Sequence, residues 1–240
     1  MHQRRLVLAG LLISATFGVA TSPVQAAATN AVAAWSMNES PGASTMTDSS
    51  GNGLNGSVGS AVVTGRVANG VVFYHWDSDS ALYQPPAKPE RVVRVPDDAS
   101  GRLDPGKADF AATVRFRTKQ GHNNIFQKGQ TGNVGGFWKV EMPSAGVVSC
   151  LFRGADGNKA VNSGVGLNDG QWHTIRCERS ADRVVMTVDG GNIVRRGFGP
   201  TGLINNNKPL AIGGKSSCDQ VNTMCDYFVG DIDYVTIERG

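Results

Sequence analysis

Apolar and polar positions alternate with a period of two from about residue 31 to the end of the chain. In Thr113-Val114-Arg115-Phe116-Arg117, Val114 and Phe116 share one face and the two arginines share the other. Residues 183–188 (RVVMTV) read as a mostly apolar strand closed by the turn Asp189-Gly190-Gly191. Residues 172–178 lead into it through Ser180-Ala181-Asp182, which predicts a hairpin with a short loop. Further strands are expected at 31–37, 71–74, 91–95, 124–128, 136–142, 147–153, 210–213 and 227–238. Turn signals separate them at Asp156-Gly157-Asn158, Asn168-Asp169-Gly170 and Asn205-Asn206-Asn207. No amphipathic run is long enough to predict a helix. Many short strands with frequent turns imply an all-β, antiparallel sandwich or barrel.

Composition narrows this picture. After the first 26 residues the chain has 24 Val, 7 Leu and 29 Gly, the balance of strands and tight turns. That excludes a helical bundle. With 40% hydrophobic and 18% charged residues, it also excludes a disordered chain. The nearest thing to a linker, residues 84–89 (QPPAKP), is too short to divide domains and reads as a rigid surface loop. One domain over residues 27–240 is expected.

Residues 1–26 read as a signal peptide. Arg4 and Arg5 precede a 15-residue apolar run from Leu6 to Ala20, and Val24-Gln25-Ala26 supplies the small residues of a cleavage site. The run is shorter than a membrane span requires, and the arginine pair matches the twin-arginine motif weakly. A secreted chain with no membrane span is expected. Without the signal, 21 basic residues face 20 acidic ones, so no electrostatic footprint for nucleic acid or anionic lipid exists. With no interface signature, a monomer is the default expectation.

Four cysteines in an exported chain imply two disulfides. Of three possible pairings the simplest is Cys150–Cys177, joining two strands expected to pair within one sheet, and Cys218–Cys225, closing a short loop. Zinc is disfavoured, because no C-x2-4-C pair is present.

Residues 167–176 (LNDGQWHTIR), followed by Val188-Asp189-Gly190, resemble the central hairpin of laminin-G-like domains, with Gly-x-Trp-His before one strand and Asp-Gly after the next. Residues 35–56, 95–118 and 229–237 resemble that family's opening strand and loop, the lead into its first long strand, and its closing strand. Residues 74–91 depart from the pattern, being longer and richer in Pro and aromatics. The resemblance implies a concanavalin A-like jelly roll of two antiparallel sheets. It also implies a non-catalytic domain that recognises glycans or extracellular proteins. Within it, Trp172 is expected to cap the core and His173 to point towards a neighbouring strand.

The alternative on the same fold is a glycoside hydrolase or polysaccharide lyase. The laminarinase-type signature Glu-x-Asp-x-x-Glu is missing, since none of Glu39, Glu90, Glu141, Glu178 and Glu238 is followed by the required acids. Lyase patterns of Arg, His and Tyr are not visible either. A glycan ligand is expected at Tyr74, His75, Trp76, Asp77, Asp79 and Tyr83, where aromatic rings stack on sugars and carboxylates accept hydroxyls; the competing reading buries Trp76 in the sandwich edge and leaves Asp77 and Asp79 in a solvated loop. A structural calcium ion is expected at Asp48 and Asn52 of the loop 47–53 (TDSSGNG), which offers a carboxylate, an amide and turn carbonyls. The resemblance brings Asp231 or Asp233 of the closing strand towards Asp48. The competing reading is a turn in which Asp48 bonds its own backbone.

Overall fold

The computed structural model describes residues 31–79, 81–219 and 224–240; the signal segment expected at 1–26 lies outside them. Among these residues the first strands are β1 (Ala31–Trp35), β2 (Thr45–Met46), β3 (Gly56–Val58), β4 (Val62–Ala68), β5 (Val71–Trp76) and β6 (Val93–Val95). The central strands follow as β7 (Phe110–Arg117), β8 (Asn123–Lys128), β9 (Phe137–Ser144), β10 (Val147–Gly154) and β11 (Gly157–Gly166). The last are β12 (His173–Arg179), β13 (Arg183–Val188), β14 (Ile193–Phe198), β15 (Leu210–Ile212) and β16 (Gly230–Arg239). The first sheet has the order β14-β13-β12-β7-β16-β5-β4, with β1 also on β16, and the second β11-β10-β9-β8-β15-β6-β3-β2. The two antiparallel sheets form a jelly-roll sandwich.

The expected period of two places the core. Val114 and Phe116 of β7, Ile175 and Cys177 of β12, and Val184 and Met186 of β13 all point between the sheets and are buried. Trp138 lies at the centre, 5.0 Å from Phe110 and 5.6 Å from Phe126 between ring centroids, both edge-on. Three buried indoles also fasten loops: Trp35 Nε1 donates to Leu54 O, Trp76 Nε1 to Arg91 O and Trp138 Nε1 to Leu103 O. Each satisfies the one polar atom that burial of a tryptophan would otherwise strand.

Five strands escaped the sequence pattern: β2, β3, β4, β11 and β14. Four of these are sheet edges and the fifth, β3, is next to one. An edge strand is half wet, so its apolar alternation is weak. In β4 a bulge between Val63 and Arg66 breaks the period further. Gly65 there has φ +68°, and a Cβ would meet the Pro41 ring at 2.5 Å.

Both expected disulfides form. The reason given for the first needs correction. Cys150 is on β10 of the second sheet and Cys177 on β12 of the first, so the bridge ties the two sheets together through the core. The two cysteines of the second, Cys218 and Cys225, pack with Leu82, Val92 and Tyr227 into a small satellite core. Within residues 74–91, the departure from the family pattern, Tyr83 and Lys88 are tied to that satellite, since Cys225 N donates to Tyr83 O and Lys88 N to Tyr227 Oη; Tyr83 Oη also donates to His122 O.

Candidate functional site on the outer face of the first sheet

The side chains opposite the core on β5, β7 and β16 form a charged and aromatic row. On β5, Tyr74 and Trp76 face inward, so Phe73 and His75 face outward. On β7 the outward pair is Arg115 and Arg117, as the alternation requires. Asp231 Oδ2 accepts from Arg117 Nε at 2.5 Å and Oδ1 lies 2.5 Å from His75 Nδ1, while Asp233 pairs with Arg115. His75 Nε2 lies 2.9 Å from Asp77.

Trp172 joins this row instead of capping the core, which corrects the sequence expectation. It is half-buried, edge-on to Phe73 at 5.6 Å, with the guanidinium carbons of Arg115 and Arg117 each 4.7 Å from its ring. Further along, Arg176 grips Glu238 with two hydrogen bonds of 2.7 and 2.8 Å. Clefts open along the face: about 540 Å³ beside His75, Asp77, Arg117 and Lys119, about 740 Å³ over Arg115, Asp233 and Tyr234, and about 430 Å³ around Arg176.

Electrostatics follow from these pairs. The hydrogen bond to Asp231 raises the pKa of His75; burial opposes it and Asp77 adds to the rise. Burial pushes the Asp231 carboxyl up, but His75 and Arg117 outweigh it and hold it below the usual range. Asp233 goes the other way, because burial exceeds the pull of Arg115.

The six residues expected to meet a glycan divide. Tyr74 and Trp76 are both 0% exposed. Burial first, then the hydrogen bond to Glu39, raises the Tyr74 phenol's pKa. Neither ring has a face for a sugar, which corrects that part of the expectation: both belong to the inward set of β5. His75 and Asp77 do line a cleft. Asp79 is bound by Lys88 at 2.5 Å, and Tyr83 is spent on His122.

The calcium set does not assemble either. Asp48 Oδ1 accepts from Ala34 N and Ser50 N, and Oδ2 from Leu54 N and Ser50 Oγ, at 2.8–3.0 Å. Burial raises this carboxyl, but those donors outweigh it and lower its pKa. The Asn52 amide donates to Val32 O and the Ser50 hydroxyl. Asp231 and Asp233 are bound to arginines. The loop is thus built as a turn around Asp48, and the four residues are not brought together as one ligand set. Among the described residues no three acidic, His or Cys side chains come together as a metal site.

His173 is pinned, with Nδ1 2.8 Å from Asp189 Oδ2 and Nε2 3.2 Å from Asp169 Oδ1. Asp189 Oδ1 accepts from Thr174 N at 2.7 Å, so the Trp-His and Asp-Gly motifs lock the two ends of one hairpin together. Among the described residues no Ser or Cys hydrogen-bonds this imidazole, and the contacts it makes join the ends of the hairpin.

Fold and face together define a jelly-roll sandwich of the concanavalin A-like kind. The laminin G domain profile matches residues 116–239. The chain belongs to the laminin G domain family. No curated protein sequence matches it closely enough to count as a relative. Similar structures include domain 4 of AbnA, a GH43 extracellular arabinanase from Geobacillus stearothermophilus, in complex with arabinotriose. It is 19% identical, with TM-score 0.56, over 88% of this chain and 93% of that one. The binding domain of botulinum neurotoxin DC in complex with rat synaptotagmin II is 11% identical, with TM-score 0.55, over 88% and 47%. Domains LG4-5 of the mouse laminin alpha1 chain are 20% identical, with TM-score 0.43, over 57% of this chain. This chain spans 38% of that laminin fragment and 33% of the LG1-3 region of the laminin alpha2 chain. At these identities the likeness is one of fold. Among the described residues no helix is long and apolar enough to cross a membrane.

Proposed function

We propose that this protein is an exported, non-catalytic recognition module that holds a glycan on the outer face of its first sheet. The observation that carries this reading is the pairing of that face's carboxylates beside open clefts. Asp231 is taken by Arg117 and His75, Asp233 by Arg115 and Glu238 by Arg176. Glycoside cleavage needs a proton-donating acid and a second carboxyl working together on one bond. Carboxylates each committed to a separate cation suit hydrogen bonding to hydroxyls instead.

The arabinotriose held by a domain of the same fold supports a sugar ligand. Two disulfides fit an oxidising compartment, and the apolar run after Arg4 and Arg5 supports export. The test is a glycan array with the purified chain, paired with mass spectrometry of the exported species. Retention of a glycan class without its cleavage is expected. Release of shortened sugars would replace the module with an enzyme, and capture of a protein from culture supernatant with a silent array would replace the glycan.

A further inference from the structure

Strand β16 changes partner along its length. Gly230, Asp231 and Ile232 lie against Trp76, His75 and Tyr74 of β5, whereas Val235 to Glu238 lie against β1. Asp233 and Tyr234 fall between, at the fork where β5 and β1 part. On the opposite side a bulge between Ile232 and Tyr234 interrupts the pairing with β7. Ile232 and Val235 are both core residues, and the two between them are half-buried outside the core. A bulge is the device that lets two consecutive side chains leave a core together.

The cleft of about 740 Å³ opens over this fork. Its walls are the parting ends of the two strands, Ser36 and Asn38 after β1 and Val71 and Val72 of β5, and its floor includes Tyr234, Thr174 and Thr236. We infer that this fork cleft is the sugar subsite and takes a short neutral oligosaccharide without a metal ion. The inference rests on the glycan reading above and adds the place and the class of ligand.

Three features support it. A sugar ring presents hydroxyls on its rim and C–H groups on its faces. Ser36, Asn38, Thr174 and Thr236 answer the first, and the Tyr234 ring with Val71 and Val72 answers the second. The charge on the floor cancels: Arg115 is held by Asp233 and lies against Trp172, so no free cation waits for a uronate or sulfate. The Asp233 carboxylate has lone pairs left for sugar hydroxyls, whereas coordinating a cation would set that cation against the adjacent guanidinium. A protein partner would seek a wide apolar patch. Among the described residues the exposed large apolar side chains do not form such a patch: Val67 stands opposite Val72 at the edge of this cleft, and Val134, Val165, Phe198 and Leu203 lie on other strands and loops outside its lining.

Isothermal titration calorimetry on the full chain tests this with arabinotriose, xylotriose and cellotriose, and with trigalacturonic acid as the charged control. At least one neutral trisaccharide is expected to bind, equally well in EDTA, while the charged one does not. Tyr234→Ala is expected to weaken binding about ten-fold. Ser36→Trp, at an exposed rim position that carries no core contact, is expected to abolish it with an unchanged melting temperature. Val134→Ser, at an exposed position outside these clefts, leaves it unchanged, and Asp77→Ala probes the neighbouring cleft as the alternative site.

Binding that survives both fork variants and is lost in Asp77→Ala moves the sugar to the His75 cleft; it overturns this inference and leaves the proposed function standing. Binding that needs a divalent cation, or that prefers trigalacturonic acid, overturns the ligand class. No heat from any of the four probes overturns the inference, and silence across the glycan array as well removes the proposed function with it.

Discussion

Cys150 and Cys177 stand 5.8 Å apart at Cα on strands of opposite sheets, and their disulfide is the covalent tie across the core. Both residues are buried, at 0% and 1% exposure. The bridge closes a loop with a sequence separation of 27, which in the chain-entropy treatment stabilises the fold by about 3–4 kcal/mol. The double variant Cys150→Ala/Cys177→Ala should lose about that much in denaturant unfolding. Cys218→Ala/Cys225→Ala, with a separation of 7, should lose about 2–3 kcal/mol. A larger loss from the second pair than from the first would contradict this ordering.

Lys128 is 0% exposed and lies 2.8 Å from Asp97 and 2.9 Å from Asp104, with Asn206 O as a third acceptor. Burial raises the Asp104 carboxyl despite the ammonium beside it. Lys128→Met should cost about 3–5 kcal/mol, because it leaves Asp104 buried without a cation. Adding Asp104→Leu should return much of the loss. Urea unfolding of the single and double variants checks this, and equal stabilities for wild type and Lys128→Met would remove the cluster as an anchor.

The raised pKa of His75 gives a pH dependence of known sign. Protonated His75 stabilises the fold fully below its unfolded value of about 6.5, and that contribution fades as pH rises through the folded value. The stability gap between wild type and His75→Gln should therefore be widest near pH 5.5 and close above the folded midpoint. NMR titration should place that midpoint above 6.5, and Asp231→Asn should lower it more than Asp77→Asn. A midpoint unmoved by Asp231→Asn would break the assignment.

Asp48 works in the opposite direction. Its lowered pKa means that its stabilisation is complete above the unfolded value of about 3.9 and disappears as pH falls through the folded one. Asp48→Ala strands the N–H groups of Ala34, Ser50 and Leu54 and should cost about 2–4 kcal/mol at neutral pH. Melts in calcium and in chelator should coincide. An ion held at a hundred times its dissociation constant would add about 2.7 kcal/mol, so a clear rise in calcium would require oxygens other than this set.

Some of the molecule was written in local pattern. Period-two alternation fixes the face of each central strand, which is why Val114 and Phe116 are core and Arg115 and Arg117 are not. The Trp-His and Asp-Gly motifs mark one hairpin, because His173 and Asp189 interact through a short turn. The two cysteine pairs were legible from spacing and compartment alone. The rest depends on what the chain meets across space. Strand alternation cannot say which sheet a strand joins, so the sequence places Cys150 and Cys177 correctly in a bridge and wrongly in one sheet. Composition marks Tyr74, Trp76 and Asp48 as ligands, but an aromatic or carboxylate acts on a ligand only if the fold leaves it unpartnered. The core claimed both rings, and three backbone N–H groups claimed the carboxylate. Asp233 is legible only as one of two acids in the closing strand, and Tyr234 carries no local signal. They become neighbours on the surface because β16 bulges as it passes from β5 to β1, a change of partner fixed by strands some 160 to 200 residues earlier in the chain.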